Sequence, residues 1–224
     1  MTVWVIGGDS GIGAATVANL QHMGESVIVS GKEVDVQVKR NIKLFAEGFR
    51  AGLTGVIFSA GTNYLEWLGN MDPGQTREVL DTNLLGFINL MDYLAEKKEL
   101  GPLRVVAVSS DASERPMRTS IAYCASKAGL NMAVKVAARE LGPWGWKINA
   151  VSPGMTAPTG MSLYIDERVP EVRNWTKERT EKYERDQEVT PGRILPSDVA
   201  HIIADTFYGP PHLNGSIITL NGGR

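Results

Sequence analysis

Short apolar runs recur along the chain, and each is long enough for one buried β-strand. The run 103–108 is the clearest example, because it is apolar and rich in β-branched residues, as parallel strands covered on both faces are. The pattern predicts a sheet of about seven strands, at residues 2–6, 27–30, 33–36, 54–58, 103–108, 146–151 and 215–220. The third of these predicted strands is very short and follows the second closely.

Predicted helices separate the strands. In the segment 76–98 the apolar side chains at the helical spacing fall on one stripe, formed by Leu80, Leu84, Phe87, Met91 and Leu94. The other predicted helices cover 12–23, 37–50, a segment through Tyr123 that ends at Leu141 before Gly142-Pro143, and 196–207. Alternating strands and helices predict an α/β fold, a doubly wound parallel sheet with helices on both faces, as one domain over residues 1–224.

A glycine-rich loop joins the first predicted strand to the first predicted helix. Glycines allow a tight turn and a close approach of a ligand, while the helix N-terminus offers free N–H groups and a positive dipole end to a pyrophosphate. The context of strand, loop and helix is that of a dinucleotide-binding site. The candidate cofactor-binding residues in this loop are Gly7, Asp9, Ser10, Gly11, Ile12 and Gly13.

Gly31 and Lys32 follow the second predicted strand, where an adenosine ribose is expected. A carboxylate there would accept a hydrogen bond from the ribose 2′-hydroxyl, whereas a basic residue would attract a 2′-phosphate. The absence of an acid at Gly31 and the lysine beside it favour NADP over NAD. Asp9 opposes this preference, and Lys32 is alternatively a solvated surface residue.

Tyr123 and Lys127 lie four residues apart on a predicted helix, so their side chains share one face. Ser110 follows the strand 103–108, at the sheet edge where open α/β sheets bind ligands. Tyr123 would act as a general acid and base, with a pKa lowered by the ammonium of Lys127, and Ser110 would hold a substrate oxygen. The alternative is an ordinary amphipathic helix, with Tyr123 packed and Lys127 solvated.

Composition and charge exclude several classes of function. The 23 basic and 25 acidic residues give a formal net charge of -2, which predicts no nucleic-acid partner and no anionic membrane partner. The single cysteine, Cys124, forms no internal disulfide and has no second cysteine for a metal site. There is no apolar run as long as a membrane span and no signal-peptide pattern at the N-terminus, so we expect a cytoplasmic location.

Three motifs together resemble the classical short-chain dehydrogenase/reductase family. They are the glycine loop, the pair Ser109-Ser110, and the string Tyr123-Cys124-Ala125-Ser126-Lys127-Ala128-Gly129, and the resemblance extends to Asn221-Gly222-Gly223. It implies a Rossmann-type fold, NAD(P)-dependent reversible reduction of a ketone or aldehyde to an alcohol, and a homotetramer or homodimer with contacts that include Val79, Leu90, Ala133 and Val136. Ile6 stands where the family has threonine, and Phe58 and Ser59 depart from its Asn-Asn-Ala-Gly motif.

The resemblance also implies further site residues. Asn83, within Thr82-Asn83-Leu84, would support a proton-relay water beside Lys127, or would serve only as a structural amide. Asp35 would contact the adenine, or would be a turn residue. Additional cofactor contacts are implied for Ala60, Gly61, Pro153 and Gly154, with Thr156 and Thr159 as equal candidates for one more.

Residues 160–190 are charged, with Tyr164, Trp175 and Tyr183 interleaved, as in a mobile helical lid over the substrate. A solvated helical hairpin would look the same. We expect the determinants of substrate choice in this segment and in residues 111–120, although neither encodes a recognisable ligand. A non-catalytic dinucleotide-sensing protein on the same fold is the alternative function, and an isomerase or dehydratase would need a larger C-terminal domain.

Overall fold

The computed structural model describes residues 1–49, 52–96, 98, 101–187 and 189–224. The predicted end of the helix 37–50, at Arg50, lies outside the described residues. Within the described residues the chain forms a single-domain α/β fold around a parallel sheet of six strands. The strands are β1 (Thr2–Ile6), β2 (Ser26–Ser30), β3 (Leu53–Phe58), β4 (Arg104–Val108), β5 (Lys147–Pro153) and β6 (Ile217–Leu220).

Helices flank the sheet on both faces. They are α1 (Gly11–His22), α2 (Lys39–Ala46), α3 (Pro73–Leu80), α4 (Gly86–Ala95), α5 (Ile121–Leu141), α6 (Gly160–Arg173), α7 (Lys177–Arg185) and α8 (Pro196–Tyr208). The predicted helix 76–98 is therefore interrupted, because a π-helical turn at Asp81–Leu85 separates α3 from α4. It also begins earlier than predicted, since the Asp72 side chain accepts a hydrogen bond from Gln75 N and caps the helix at Pro73.

The prediction of about seven strands was wrong, because residues 33–36 form turns instead of a strand. A parallel neighbour of β2 would need a crossover of roughly a dozen residues, and only two residues separate Ser30 from Glu33. Val34 and Val36 are nonetheless buried, with only 5% of each residue exposed, because both pack into the core cluster that contains Trp4 and Ile6. Burial without strand pairing therefore produced the apolar pattern of a strand.

The order of the strands is β2-β1-β3-β4-β5-β6. β1 pairs with β2 on one side and with β3 on the other, so the direction of winding reverses at β1. The crevice beyond the carboxyl ends of β1 and β3 is consequently the topological switch point, where ligands bind in folds of this kind.

Two core clusters cover the two faces of the sheet. Trp4 and Ile6 point into the cluster that is shared with α2, α4 and α5. Val3 and Val5 point into the opposite cluster, which is shared with α1 and α8. All four residues are fully buried, as expected for a strand that is covered on both faces. In the part of the chain that the structure describes, we find no helix with the length and apolarity needed to cross a membrane.

Candidate active site

One cavity of about 950 Å³ lies along the carboxyl edge of the sheet. It brings together most of the residues that the sequence singled out, although Gly13 and Asn83 lie behind its surface. The predicted residues that line it are Gly7, Asp9, Ser10, Gly11, Ile12, Lys32, Asp35, Ala60, Gly61, Ser110, Tyr123, Lys127, Pro153, Gly154, Thr156 and Thr159. Its lining includes both the glycine loop and the group formed by Ser110, Tyr123 and Lys127.

Glycine is required at two positions of the loop by its neighbours. A Cβ on Gly13 would lie 1.9 Å from Gly7 O, and a Cβ on Gly7 would lie 2.7 Å from Ala60 N. Gly7 also has a φ of +74°, in the left-handed region that favours glycine. The loop, the first turn of α1 and the end of β3 therefore pack backbone against backbone.

The glycine loop fits the pyrophosphate of a dinucleotide. Ser10, the N-cap residue of α1, makes no side-chain capping bond, and the first turn of α1 carries no acidic residue. The free N–H groups of that turn are thus available to an anion at the positive end of the helix dipole. Two further polar atoms on cavity-lining residues, Ser109 Oγ and Asn63 Oδ1, are buried and have no hydrogen-bond partner among the described residues.

Gly31 lines the cavity at the position where an adenosine ribose was predicted, and its missing side chain leaves space for Asp9. A Cβ on Gly31 would lie 2.4 Å from Asp9 Oδ2, and Gly31 N donates a hydrogen bond to Glu33 Oε1 at 2.7 Å. Lys32 is exposed beside these two carboxylates. Asp35 accepts a hydrogen bond from Gln37 N at 3.0 Å, so it has the turn role that was its alternative. Its contact with adenine stays a prediction.

Ser110, Tyr123 and Lys127 are all buried and line the same part of the cavity. Ser110 follows β4, where its side chain accepts a hydrogen bond from Ala112 N at 3.2 Å. Lys127 Nζ donates to Val108 O at 2.9 Å and lies 5.7 Å from the centre of the Tyr123 ring. The predicted shared helical face is confirmed, and the three side chains can act on one substrate.

The predicted lowering of the tyrosine pKa is not found. Burial raises the pKa of Tyr123 to about 12, and a hydrogen bond with Ser110 only partly offsets this effect. Burial also lowers the pKa of Lys127 to about 8. The expectation failed because the lysine is itself buried and bonds a backbone carbonyl, so desolvation dominates both groups.

Replacement of Lys127 by methionine should stabilise the protein at pH 7. The folded protein holds the Lys127 proton less tightly than the unfolded chain, whose lysine pKa is 10.5. Between about pH 8 and 10.5 the unfolded chain therefore binds more protons, and the free energy of unfolding rises with pH. Below pH 8 the buried charge lowers the free energy of unfolding by about 3 kcal/mol, as the pKa difference implies. The methionine variant avoids this cost but loses about 1 kcal/mol with the hydrogen bond to Val108 O.

We expect Lys127→Met to gain roughly 2 kcal/mol over wild type at pH 7 and to lose that advantage by about pH 10, as measured by urea unfolding. Lys135→Met is the matched control, because Lys135 is exposed on the same helix. A Lys127→Met variant that is less stable than wild type by an equal amount at both pH values would contradict the buried charge.

Asn83 is fully buried within the π-helical turn. Its Oδ1 accepts from Thr62 N at 2.8 Å, while its Nδ2 donates to Thr62 O at 2.9 Å and to Ser126 Oγ at 3.0 Å. Asn83 therefore ties the turn to the segment after β3 and to helix α5, which carries Tyr123 and Lys127. The sequence singled out Asn83 as a polar residue within an apolar stripe, but it did not indicate Thr62 or Ser126 as its partners.

Residues 160–190 supply α6 and α7, with Glu188 outside the described residues. Arg193 links the two helices through ion pairs to Asp166 and Glu184. Trp67 Nε1 donates to Val172 O at 2.8 Å, which fixes α6 against the segment after β3. The pair α6 and α7 lies beside the cavity. Its movement as a lid stays a prediction.

The two threonine candidates both line the cavity and have different partners. Thr156 Oγ1 donates to Gly154 O at 3.0 Å. Thr159 Oγ1 caps α6 by accepting a hydrogen bond from Ser162 N at 2.9 Å. The Thr159 side chain lies beside Gly11, where it would contact a Cβ atom added to that glycine. Either threonine remains a candidate for the cofactor contact.

A family model and a relative of known name identify the same family, and a solved structure has the same fold. The family model described as short chain dehydrogenase matches residues 31–169. An acetoacetyl-CoA reductase from Synechocystis sp. is 31% identical over 183 residues, which cover 75% of this chain and 76% of that protein. The 11-beta-hydroxysteroid dehydrogenase type 2 of Bos taurus is 25% identical, and the match covers 96% of this chain but 55% of that longer protein. The crystal structure of actinorhodin polyketide ketoreductase with NADPH superimposes with a TM-score of 0.90 at 22% identity, over 99% of this chain and 96% of that one.

Proposed function

The chain belongs to the short-chain dehydrogenase family of oxidoreductases, and we propose that it catalyses the reversible reduction of a ketone or aldehyde to an alcohol with a nicotinamide dinucleotide. The observation that carries this proposal is the meeting of Ser110, Tyr123 and Lys127 in one cavity with the glycine loop. A binding protein would need no such group of a proton donor, a substrate clamp and a buried amine.

The proposed chemistry uses the two hydroxyls for the substrate oxygen. Ser110 donates a hydrogen bond to the carbonyl oxygen and holds it beside the Tyr123 hydroxyl. Tyr123 is protonated at neutral pH, as a tyrosine with an ordinary pKa also is, and its raised pKa extends this state to higher pH. It gives its proton to the substrate oxygen as the alcohol forms, and the phenolate takes the proton back in the oxidation. A bound nicotinamide would supply the hydride for the carbonyl carbon or accept it in the reverse direction.

Lys127, which lines the cavity, and Asn83, which lies behind its surface, would support this proton transfer. Lys127, with a pKa near 8, changes charge readily and can donate to cofactor hydroxyls or return a proton to Tyr123. Asn83 would hold the relay water that the family resemblance implies, in addition to its bonds to Thr62 and Ser126. The loop residues 7–13 would hold the pyrophosphate, and Ala60, Gly61, Pro153 and Gly154 would contact the rest of the cofactor.

We propose NADP(H) over NAD(H), on the charge of Lys32 at the adenosine end. The preference is narrow, because the carboxylates of Asp9 and Glu33 lie beside Gly31 and would repel a 2′-phosphate.

Lys32→Ala should raise the dissociation constant for NADPH more than that for NADH, by up to about fivefold for an exposed charge. Asp9→Asn should lower the dissociation constant for NADPH. Calorimetric titration of each variant with each nucleotide measures these dissociation constants. Equal effects of Lys32→Ala on the two nucleotides would reject its phosphate contact.

The proposed function is tested by titration with NADPH and NADH, followed by absorbance at the reduced-nicotinamide band with a panel of ketones, aldehydes and alcohols. Binding together with substrate-dependent oxidation of the cofactor is the expected result. Binding with no turnover across the panel would favour the dinucleotide-sensing alternative. Failure to bind either nucleotide would contradict both functions.

We also propose a cytoplasmic homo-oligomer, a tetramer or a dimer, that takes small-molecule substrates and neither nucleic acid nor membrane as partner. Of the predicted contact residues, Val79 and Leu90 are buried in the core and cannot reach a second copy. The exposed apolar side chains on α4 and α5 are Ile88, Ile121, Met132 and Val136, with Leu85 in the preceding π-helical turn. These would lose contact with water in an oligomer. A light-scattering mass of one chain would contradict the proposal.

A further inference from the structure

Arg173 is a half-buried cation at the substrate side of the cavity. It is the last residue of α6, and its guanidinium lies over the rings of Trp175 and Tyr183, at 5.1 Å and 5.9 Å from their centres. Its Nη2 donates to Arg118 O at 2.6 Å, and its Nε donates to Thr119 Oγ1 at 3.3 Å. Further N–H donors of the guanidinium remain for a ligand.

Arg173 differs from several other charged side chains that line the cavity, because those side chains form ion pairs. Asp111 pairs with Arg115 at 2.8 Å, and both Asp166 and Glu184 pair with Arg193 at 2.6 Å. Within the described residues no carboxylate lies within ion-pairing distance of the Arg173 guanidinium, and both of its hydrogen-bond acceptors are neutral. Burial lowers the pKa of Arg173, Tyr183 partly opposes this effect, and the nearby Arg118 lowers the pKa further.

The backbone that holds Arg173 is strained. Thr119 has a φ of +64°, which is a rare conformation for a β-branched residue, and it is 8% exposed. Thr119 lies two residues before the start of α5, and Tyr123 lies two residues after that start. Strained residues that persist in a buried setting cluster at ligand-binding sites. Thr119, which accepts a hydrogen bond from Arg173 Nε, thus lies four residues before the proposed proton donor in the chain, and Arg173 and Tyr123 line the same cavity.

We propose that Arg173 selects substrates that carry an anionic group, a carboxylate or a phosphate, at the end remote from the reacting carbonyl. The inference rests on the proposed function, since it assigns the substrate class of the same site. The carbonyl oxygen would bind at Ser110 and Tyr123, and the anion would provide Arg173 with the charged partner that the chain does not. Arginine suits this role because its planar fork of donors matches both kinds of oxyanion.

The test compares paired substrates of which only one member carries the anionic group. Methyl ketones with a terminal carboxylate, in a series of increasing chain length, are each paired with their methyl ester, and dihydroxyacetone phosphate is paired with dihydroxyacetone. Wild type should prefer the anionic member of at least one pair in kcat/KM by about 10- to 100-fold, the range for one hydrogen bond to a charged group. The carboxylate and phosphate arms show which oxyanion is bound.

Arg173→Leu should remove this preference by raising KM for the anionic member, with kcat/KM for the neutral member unchanged within about twofold. Arg173→Lys should retain part of the preference. Arg168→Gln is the matched control, since Arg168 lies on the same helix and pairs with Glu171 at 2.6 Å away from the cavity lining. An equal loss for both members of each pair in Arg173→Leu would show a purely structural role and overturn the inference, as would a wild type with no preference for charge.

Calorimetric titration separates this inference from the proposed function. Saturable binding of the keto acid and not of its ester, lost in Arg173→Leu, would support the anion site even in a protein that reduces no ketone tested. Turnover of neutral ketones with no binding or reduction of the anionic partners would support the oxidoreductase and reject the anion site.

Discussion

Replacement of Tyr123 by phenylalanine should reduce kcat by about 10²- to 10⁴-fold, the usual contribution of a positioned general acid. The variant loses only the hydroxyl, which lies in the cavity within hydrogen-bonding reach of Ser110. The phenyl ring would still fill the buried space between Val79, Ala112 and Ala122, so the fold should remain intact. The measurement is the steady-state rate of cofactor oxidation with a ketone that wild type reduces.

Two controls separate lost chemistry from lost structure. Dissociation constants for the reduced cofactor should stay within about threefold of wild type, because the glycine loop and the adenosine end are untouched. Tyr208→Phe should leave the rate unchanged, since the Tyr208 hydroxyl donates to Glu25 Oε1 at 2.7 Å, outside the cavity. A Tyr123→Phe variant with near-normal turnover would mean that the substrate receives its proton from another group.

Replacement of Gly13 by alanine should weaken cofactor binding by more than about tenfold and destabilise the fold by roughly 1–3 kcal/mol. The added Cβ would lie 1.9 Å from Gly7 O and 2.8 Å from Gly7 C, so the loop or the helix must move. The loop has little freedom to do so, because Gly7 N donates to Ser30 O at 2.7 Å and the end of β3 packs against Gly7. Calorimetric titration with NADPH and thermal unfolding measure the two effects.

Gly48→Ala is the matched control for the glycine loop. A Cβ on Gly48 would have no heavy atom within 4 Å, so this variant should bind the cofactor as wild type does. Unchanged affinity in Gly13→Ala would show that the contact between α1 and the loop is not needed to shape the pyrophosphate site.

The sequence predicted the parts of the fold that depend on local pattern. The run 103–108 gave β4 with its carboxyl end at Ser109 and Ser110, and the spacing of Tyr123 and Lys127 gave their common face on α5. These predictions succeed because strand burial and helical spacing are properties of a few neighbouring residues. The same reasoning failed at Val34 and Val36, where apolar side chains are buried without a strand.

The features that the sequence could not predict depend on contacts between distant segments. Arg173 meets Thr119 across 54 positions of the chain, and Asn83 meets Ser126 across 43. The pKa values of Tyr123 and Lys127 depend on how fully the surrounding elements bury both groups, and their spacing gives no measure of that burial.

The π-helical turn at Asp81–Leu85 has a consequence for the evolution of this chain. Such a turn contains one residue more than an α-helical turn, so it corresponds to a single-residue insertion within a continuous helix. The extra residue lets α3 and α4 keep separate registers. Val79 on α3 packs with Tyr123, whereas Phe87 on α4 packs in the core cluster that contains Trp4 and Ile6. Asn83, in the turn between them, bonds Thr62. Loss of one residue here would rotate everything beyond it by about 100° relative to α3. Relatives that lack the extra residue should therefore differ on one whole side of this helix, and an alignment of the family should allow a gap within these five positions.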